Sequence, residues 1–83
     1  MFINKTADGL NNVCGTNISK YRKELNLSRR ELADRLQILG LDVDKNAIQR
    51  MESGQRFITD IELVYLAKAF DKSIDELFLD IPL

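Results

Sequence analysis

Four side chains in this sequence, Lys45, Asn46, Gln49 and Arg50, carry a specific hydrogen-bonding vocabulary within six positions. The carboxamides of Asn46 and Gln49 each place a donor beside an acceptor, the pattern that pairs bidentately with the edge of adenine. Lys45 and Arg50 offer donors only, which suits guanine or a phosphate. Asn46 and Gln49 are three positions apart and Lys45 and Gln49 four, so on a helix the three share a face, with Arg50 on the adjoining edge. A second set, Ser28, Arg29, Arg30 and Arg56, has the side-chain types that hold phosphates without reading sequence. Other chemistry is scarce. The 83 residues include no histidine and one cysteine, Cys14. That removes the usual general base, the commonest metal ligand, any Ser-His or Cys-His nucleophile and any intrachain disulfide. With no paired-carboxylate or phosphate-loop motif either, no enzyme, metal or cofactor is expected. Cys14 itself reads as a small packing residue.

The candidate residues must be positioned by helices. Ser28 followed by Glu31 is a capping box that opens a helix with Leu32, Ala33, Leu36 and Leu39 inward, ended by Gly40. Leu41 and Val43 are placed to anchor the bend that follows. Asp44 caps the next helix, roughly 45–53, in which Ala47, Ile48 and Met51 face the core and Gly54 closes the C-terminal end. Lys45, Asn46, Gln49 and Arg50 lie on the face left over.

The remaining segments supply the scaffold. Residues 1–15 are rich in Asn and Gly without a sustained period and read as a poorly ordered or loosely packed tail, with Phe2, Ile3 and Val13 able to pack on the domain. Thr16 or Asn17 can cap a first helix to about Asn26, with Ile18, Tyr21 and Leu25 on one face. Arg22 sits at the edge of that face, either as a snorkelling cation or as the partner of a buried carboxylate. Thr59 with Glu62 opens a helix that is apolar on most of its surface (Ile61, Leu63, Val64, Leu66, Ala67, Phe70), the mark of a central buried helix. Ser73 with Glu76 opens a short last helix with Ile74, Leu77 and Phe78, and Pro82 blocks its continuation. The spacing thus predicts a single all-α domain over 16–83, a compact five-helix bundle without strands.

Charge is unevenly placed. The net charge is −1, but residues 1–56 carry +3 and residues 57–83 carry −4, so the basic groups travel with the candidate reading unit. No apolar run is long enough to span a bilayer, and the first fifteen residues lack a signal-peptide core, so a cytoplasmic protein with no membrane partner is expected.

Two helices joined by a bend, the second presenting polar residues outward, make a helix-turn-helix. The chain from about Gly15 to Phe78 resembles the Cro/C1-type (XRE family) DNA-binding domain. The matching residues are I-x-x-Y-R-x-x-L in the first helix, L-S-x-x-E-L-A from Leu27 to Ala33, I-x-x-M-E-S-G from Ile48 to Gly54, and L-A-K-A-F-D-K-S-I-D-E-L-F from Leu66 to Phe78. The resemblance implies a lambda-repressor-like fold and a sequence-specific regulator of transcription. It puts Lys45, Asn46, Gln49 and Arg50 at base-reading positions, Arg29 at a phosphate, and Arg22 with Glu52 in an ion pair between the first and third helices. One departure is plain: the connection from Gly40 to Asp44 is longer than the usual 3–4-residue turn.

The leading functional expectation is a repressor that binds a double-stranded operator as a homodimer through the helix at 45–53. Phe78, Leu79, Ile81 and Leu83, with Leu77, are candidate dimer contacts; Leu77 and Phe78 can equally just close the core. The alternative is a protein-binding module, such as an antitoxin or regulatory partner, that uses the acidic, apolar C-terminal end.

Overall fold

A helix begins most easily where a short polar side chain accepts the N–H groups that its first turn leaves unpaired. Three of the four α-helices here begin that way. In the computed structural model, which describes residues 4–81, α2 (Arg29–Leu39) opens on Ser28, whose Oγ accepts the Glu31 N–H at 3.0 Å while Glu31 accepts the Ser28 N–H at 2.9 Å. Asp44 Oδ1 accepts the Ala47 N–H at 2.8 Å and opens α3 (Lys45–Glu52). Thr59 and Glu62 form the reciprocal box of α4 (Asp60–Phe70). The Ser28 N–H bond holds the Glu31 carboxyl below its ordinary pKa. That contribution is present above the unfolded carboxylate range and is lost as pH falls through the lowered value.

The first helix, α1 (Gly15–Glu24), starts differently. Its cap residue, Cys14, makes no side-chain bond; Asn12 Oδ1, two residues earlier, accepts the Gly15 N–H at 3.0 Å. The expected caps Thr16 and Asn17 lie inside the helix. Asn17 is buried and donates to the carbonyls of Leu77 and Leu79 at 2.8 and 3.0 Å, which ties α1 to the C-terminal segment. The helix stops at Glu24, and Asn26 takes a left-handed conformation at φ +56°. Leu25 caps the helix and is exposed, unlike Ile18 and Tyr21.

Helices α2 and α3 pack on one another, α1 covers α3, and α4 lies against α2 and α1. The core is mainly aliphatic: Ile18, Leu32, Leu36, Ile48, Met51, Leu66 and Leu77 are wholly buried. The bend of 40–44 adds no helical turn, and the Val43 N–H closes a tight turn on Leu41 O at 3.2 Å. Gly40 leaves α2 at φ +112°, the Leu41 N–H returns to Leu36 O, and Gln37 Nε2 donates to Val43 O at 2.7 Å. Val43 is buried and Leu41 packs beside it against the core. A longer connection is thus held by two apolar anchors, Leu41 and Val43, and one side-chain bond.

Three expectations need correction among the described residues. The fifth helix is a single 3-10 turn, Asp75–Phe78, because the Ser73–Glu76 box caps a segment whose backbone is already extended at Leu79. One turn cannot propagate the α-helical bonding pattern. The surface of α4 is not buried all round: Ile61 is 62% exposed and Val64 is exposed beside it. Leu39, expected to face inward, is exposed at the last position of α2. The readings of Phe2, Ile3, Pro82 and Leu83 lie outside the described residues.

Gly15 sets how closely α1 approaches α3. A Cβ there would overlap the Met51 carbonyl oxygen, which is backbone and has no rotamer to yield. Gly15→Ala is expected to cost about 1–3 kcal/mol through overpacking, despite the better helix propensity of alanine. The midpoint of urea denaturation measures it.

Candidate nucleic-acid interface

A helix of eight residues has room for one buried stripe and one free face. In α3 the stripe is Ala47, Ile48 and Met51, and Lys45, Asn46, Gln49 and Arg50 are all exposed on the other side. Ala47 matters for its size, because a small side chain lets α3 sit close on α2 while its polar face stays outward. Lys45, Asn46 and Gln49 line one surface concavity with Arg22, Ser28, Arg29 and Arg30. Residues from two helix starts, 15 or more positions apart in sequence, are thereby brought together. Arg50 stands apart from this concavity, at the C-terminal end of α3.

Two of the lining residues, Arg22 and Arg29, belong to an ion-pair cluster on Glu52. Arg22 Nε donates to Glu52 Oε2 at 2.6 Å and Arg22 Nη2 to Glu52 Oε1 at 3.2 Å, a bidentate pair whose side chains are 9% and 5% exposed. Arg22 Nη1 donates to Leu27 O at 2.8 Å. Each guanidinium nitrogen of Arg22 thus has an acceptor, and the carboxylate is not left unpaired in the core. Arg29 Nε adds a third bond to Glu52 Oε1 at 3.1 Å while its side chain remains about half exposed, at 47%. Glu52 therefore fixes the end of α3 to α1 and draws the start of α2 alongside. Arg22 is the carboxylate's partner and does not snorkel.

The four candidate phosphate-holding residues divide. Arg29 and Arg30 are exposed on the rim of the concavity, and Arg30 forms no ion pair among the described residues. Ser28 Oγ serves the cap of α2 and retains its own proton to donate. Arg56 is committed elsewhere: its Nη1 donates to Glu62 Oε2 at 2.6 Å, and Glu62 is buried. The Arg56 side chain is 32% exposed and lies outside the concavity, so a phosphate contact there would share its guanidinium with Glu62. Sequence reasoning placed Arg56 by proximity to α3 and did not foresee that Glu62 would be inward.

Sequence reasoning also passed over Asn11 and Asn12. Asn11 N donates to Gly54 O at 2.7 Å and its Nδ2 to Gln55 O at 2.8 Å; Asn12 Nδ2 donates to Met51 O at 3.0 Å and Arg56 O at 2.8 Å. The segment expected as a loose tail thus binds the chain that leaves α3. The available signal was an Asn three positions before a helix start, the spacing at which its side chain can receive a first-turn N–H.

Comparison with known proteins agrees with this geometry. The Helix-turn-helix family model matches residues 18–77. The chain belongs to the Cro/C1-type (XRE) helix-turn-helix family. Its members are DNA-binding regulators of transcription, and this chain is one by family. Among solved structures it is similar to the restriction-modification controller protein C.AhdI from Aeromonas hydrophila, at 28% identity and a TM-score of 0.69, over 78% of this chain and 87% of that one. No curated protein matches the chain. No helix among the described residues is long and apolar enough to cross a membrane.

The ion-pair cluster gives a direct test. Arg22→Ala or Glu52→Ala strands a buried charge and is expected to cost about 3–5 kcal/mol. A double-mutant cycle by chemical denaturation should show strong coupling between the two positions; additive losses would mean that they act separately.

Proposed function

We propose that this helix-turn-helix regulator is a repressor that binds a double-stranded operator as a homodimer, reading bases with Lys45, Asn46, Gln49 and Arg50. The observation that carries the reading is the division of α3 into a buried Ala47–Ile48–Met51 stripe and an outward face made wholly of base-pairing side chains. Asn46 and Gln49 would pair with adenine edges, and Lys45 and Arg50 with guanine or phosphate. Arg29 and Arg30, at the start of α2, would hold the flanking backbone and set how α3 lies in the major groove. The similarity to a controller protein supports regulation as the role.

Dimerisation rests on two features. A reading helix of eight residues spans few base pairs, and a two-fold partner placed about one helical turn of DNA away, roughly 34–36 Å, doubles the site. The apolar groups to support a second copy are present: Phe57 and Ile61 are 58% and 62% exposed, Val64 lies on the face of Ile61, and Phe78 and Leu79 are exposed in the C-terminal segment. Ile81 packs against the core, so it is not part of this surface. The proposed contact is therefore Phe57, Ile61 and Val64 together with the sequence-derived Phe78 and Leu79.

Selection from a random duplex library tests the reading, and a two-fold symmetric consensus is expected. Asn46→Ala or Gln49→Ala should each remove about 1–3 kcal/mol of discrimination at one position per half-site while the fold is kept. Arg29→Ala should weaken all duplexes alike and flatten the salt dependence by about one ion. Unaltered site preference in both helix-face variants would refute the assignment of α3. Separately, Ile61→Asp should convert a dimer to a monomer in sedimentation equilibrium and lower operator affinity more than affinity for a half-site. A chain that is monomeric at high concentration and on its operator would refute the two-fold arrangement.

A further inference from the structure

The carbonyl groups at the C-terminal end of an α-helix have no partner within the helix, and whatever receives them fixes how the last turn is aimed. At the end of α3 the following loop supplies most of those partners, Ser53, Gly54, Gln55 and Arg56 returning their N–H groups to Gln49, Met51 and Arg50, and Asn12, from the segment before α1, adds a second donor to Met51 O. Asn12 uses its carboxamide in both directions. Its Oδ1 accepts the Gly15 N–H at 3.0 Å at the start of α1, and its Nδ2 donates to Met51 O at 3.0 Å and to Arg56 O at 2.8 Å. The first carbonyl lies in the last turn of α3 and the second in the loop that leaves it. That loop curls back on Arg50, whose carbonyl oxygen receives the N–H groups of Gln55 and Arg56 at 3.0 and 3.2 Å. Asn11 closes the same loop from its other side through Gly54 O and Gln55 O, and Leu10 lies against Gly54, where a Cβ would press on it at 2.9 Å. Arg50, the reading residue outside the concavity of α2 and α3, thus has its backbone inside a loop whose shape is set by Asn12.

We infer that Asn12 is a positioning residue for sequence readout: its carboxamide aims the C-terminal turn of α3, and Arg50 with it, from a segment that does not itself read bases. The inference rests on the proposed role of α3 in reading DNA. The two halves of the carboxamide are chemically separable. In Asn12→Asp the acceptor for Gly15 remains and two donors become a carboxylate oxygen facing two carbonyls. In Asn12→Ser a hydroxyl can still receive the helix N–H, but it is too short to reach the loop.

The test uses the full chain and duplexes selected with the wild-type protein. For both variants the helical signal and a cooperative unfolding transition are expected to persist. Amide exchange at Gln55 and Arg56 should accelerate at least tenfold over wild type. The ratio of selected-duplex to random-duplex affinity should fall about tenfold, with the loss concentrated at the base pair whose preference Arg50→Ala also relaxes, while affinity for random duplex is unchanged. A protein that is merely less stable but still fully folded would keep that ratio, so discrimination separates positioning from stability. Should Asn12→Asp fail to fold, Asn12→Ser provides the same readings. Wild-type exchange and discrimination in a folded variant would overturn the role of Asn12 and leave the reading of α3 standing. A wild-type chain that selects no duplex would overturn the reading of α3 and this inference with it.

Discussion

The structure depends on one buried carboxylate. Glu52 occupies the last position of α3, on the side that the core claims, and a charge there is tolerable only because Arg22 meets it with two nitrogens and Arg29 with a third. The requirement propagates. Arg22 comes from the last turn of α1 while Gly15, at its first position, sits against the Met51 carbonyl, so both ends of α1 lie close to the end of α3. Arg29 must come from the first turn of α2, which brings the exposed cations at the start of α2 beside the polar face of α3. A pair of this kind adds little to stability compared with an apolar pair of the same shape, but breaking it from one side is costly. Its effect is geometric: it admits one relative placement of three helices.

The same logic recurs on a smaller scale beyond α3. Glu62 is buried, receives the Thr59 N–H as part of a capping box, and is neutralised by Arg56. Asn12 and Asn11 satisfy the carbonyls that this loop would otherwise leave unpaired. The two carboxylates bracket the exit of α3, one on each side of the loop, and the segment before α1 closes it. The C-terminal end of α3 is thereby held, as Asp44 holds its start, without any of its four polar side chains in an ion pair or side-chain hydrogen bond among the described residues. Such an arrangement suits recognition, because side chains that are fixed by the fold cannot also be offered to a ligand.

Most of the helical framework was legible from local chemistry. Ser28–Glu31, Asp44 and Thr59–Glu62 announce their helices because a cap is a local bond, complete within four residues. The inward stripe of α3 and its polar complement were legible for a similar reason: the 3.6-residue period sorts side chains before any partner is known. The start of α1 was misread because its cap is neither Thr16 nor Asn17 but comes from Asn12, and because Asn17 answers a carbonyl some sixty positions away. The last helix was overextended since a capping box states where a helix begins and says nothing of how many turns follow.

What the sequence determined by itself was the set of helices, the identity of the side chains left outside α3, and the absence of histidine-based chemistry, all of which follow from residue type and short-range spacing. What only the tertiary structure decided was the use of each charged or amide group. Arg29 and Arg56 each pair with a buried glutamate, yet Arg29 stays about half exposed on the rim of the polar concavity while Arg56 lies outside it. Ile61 and Leu66 are both aliphatic residues of α4, yet one faces outward and the other is wholly buried. The physical reason is the same in each case. Burial, pairing and exposure are properties of the neighbours a residue acquires when distant segments pack, and no local pattern contains them.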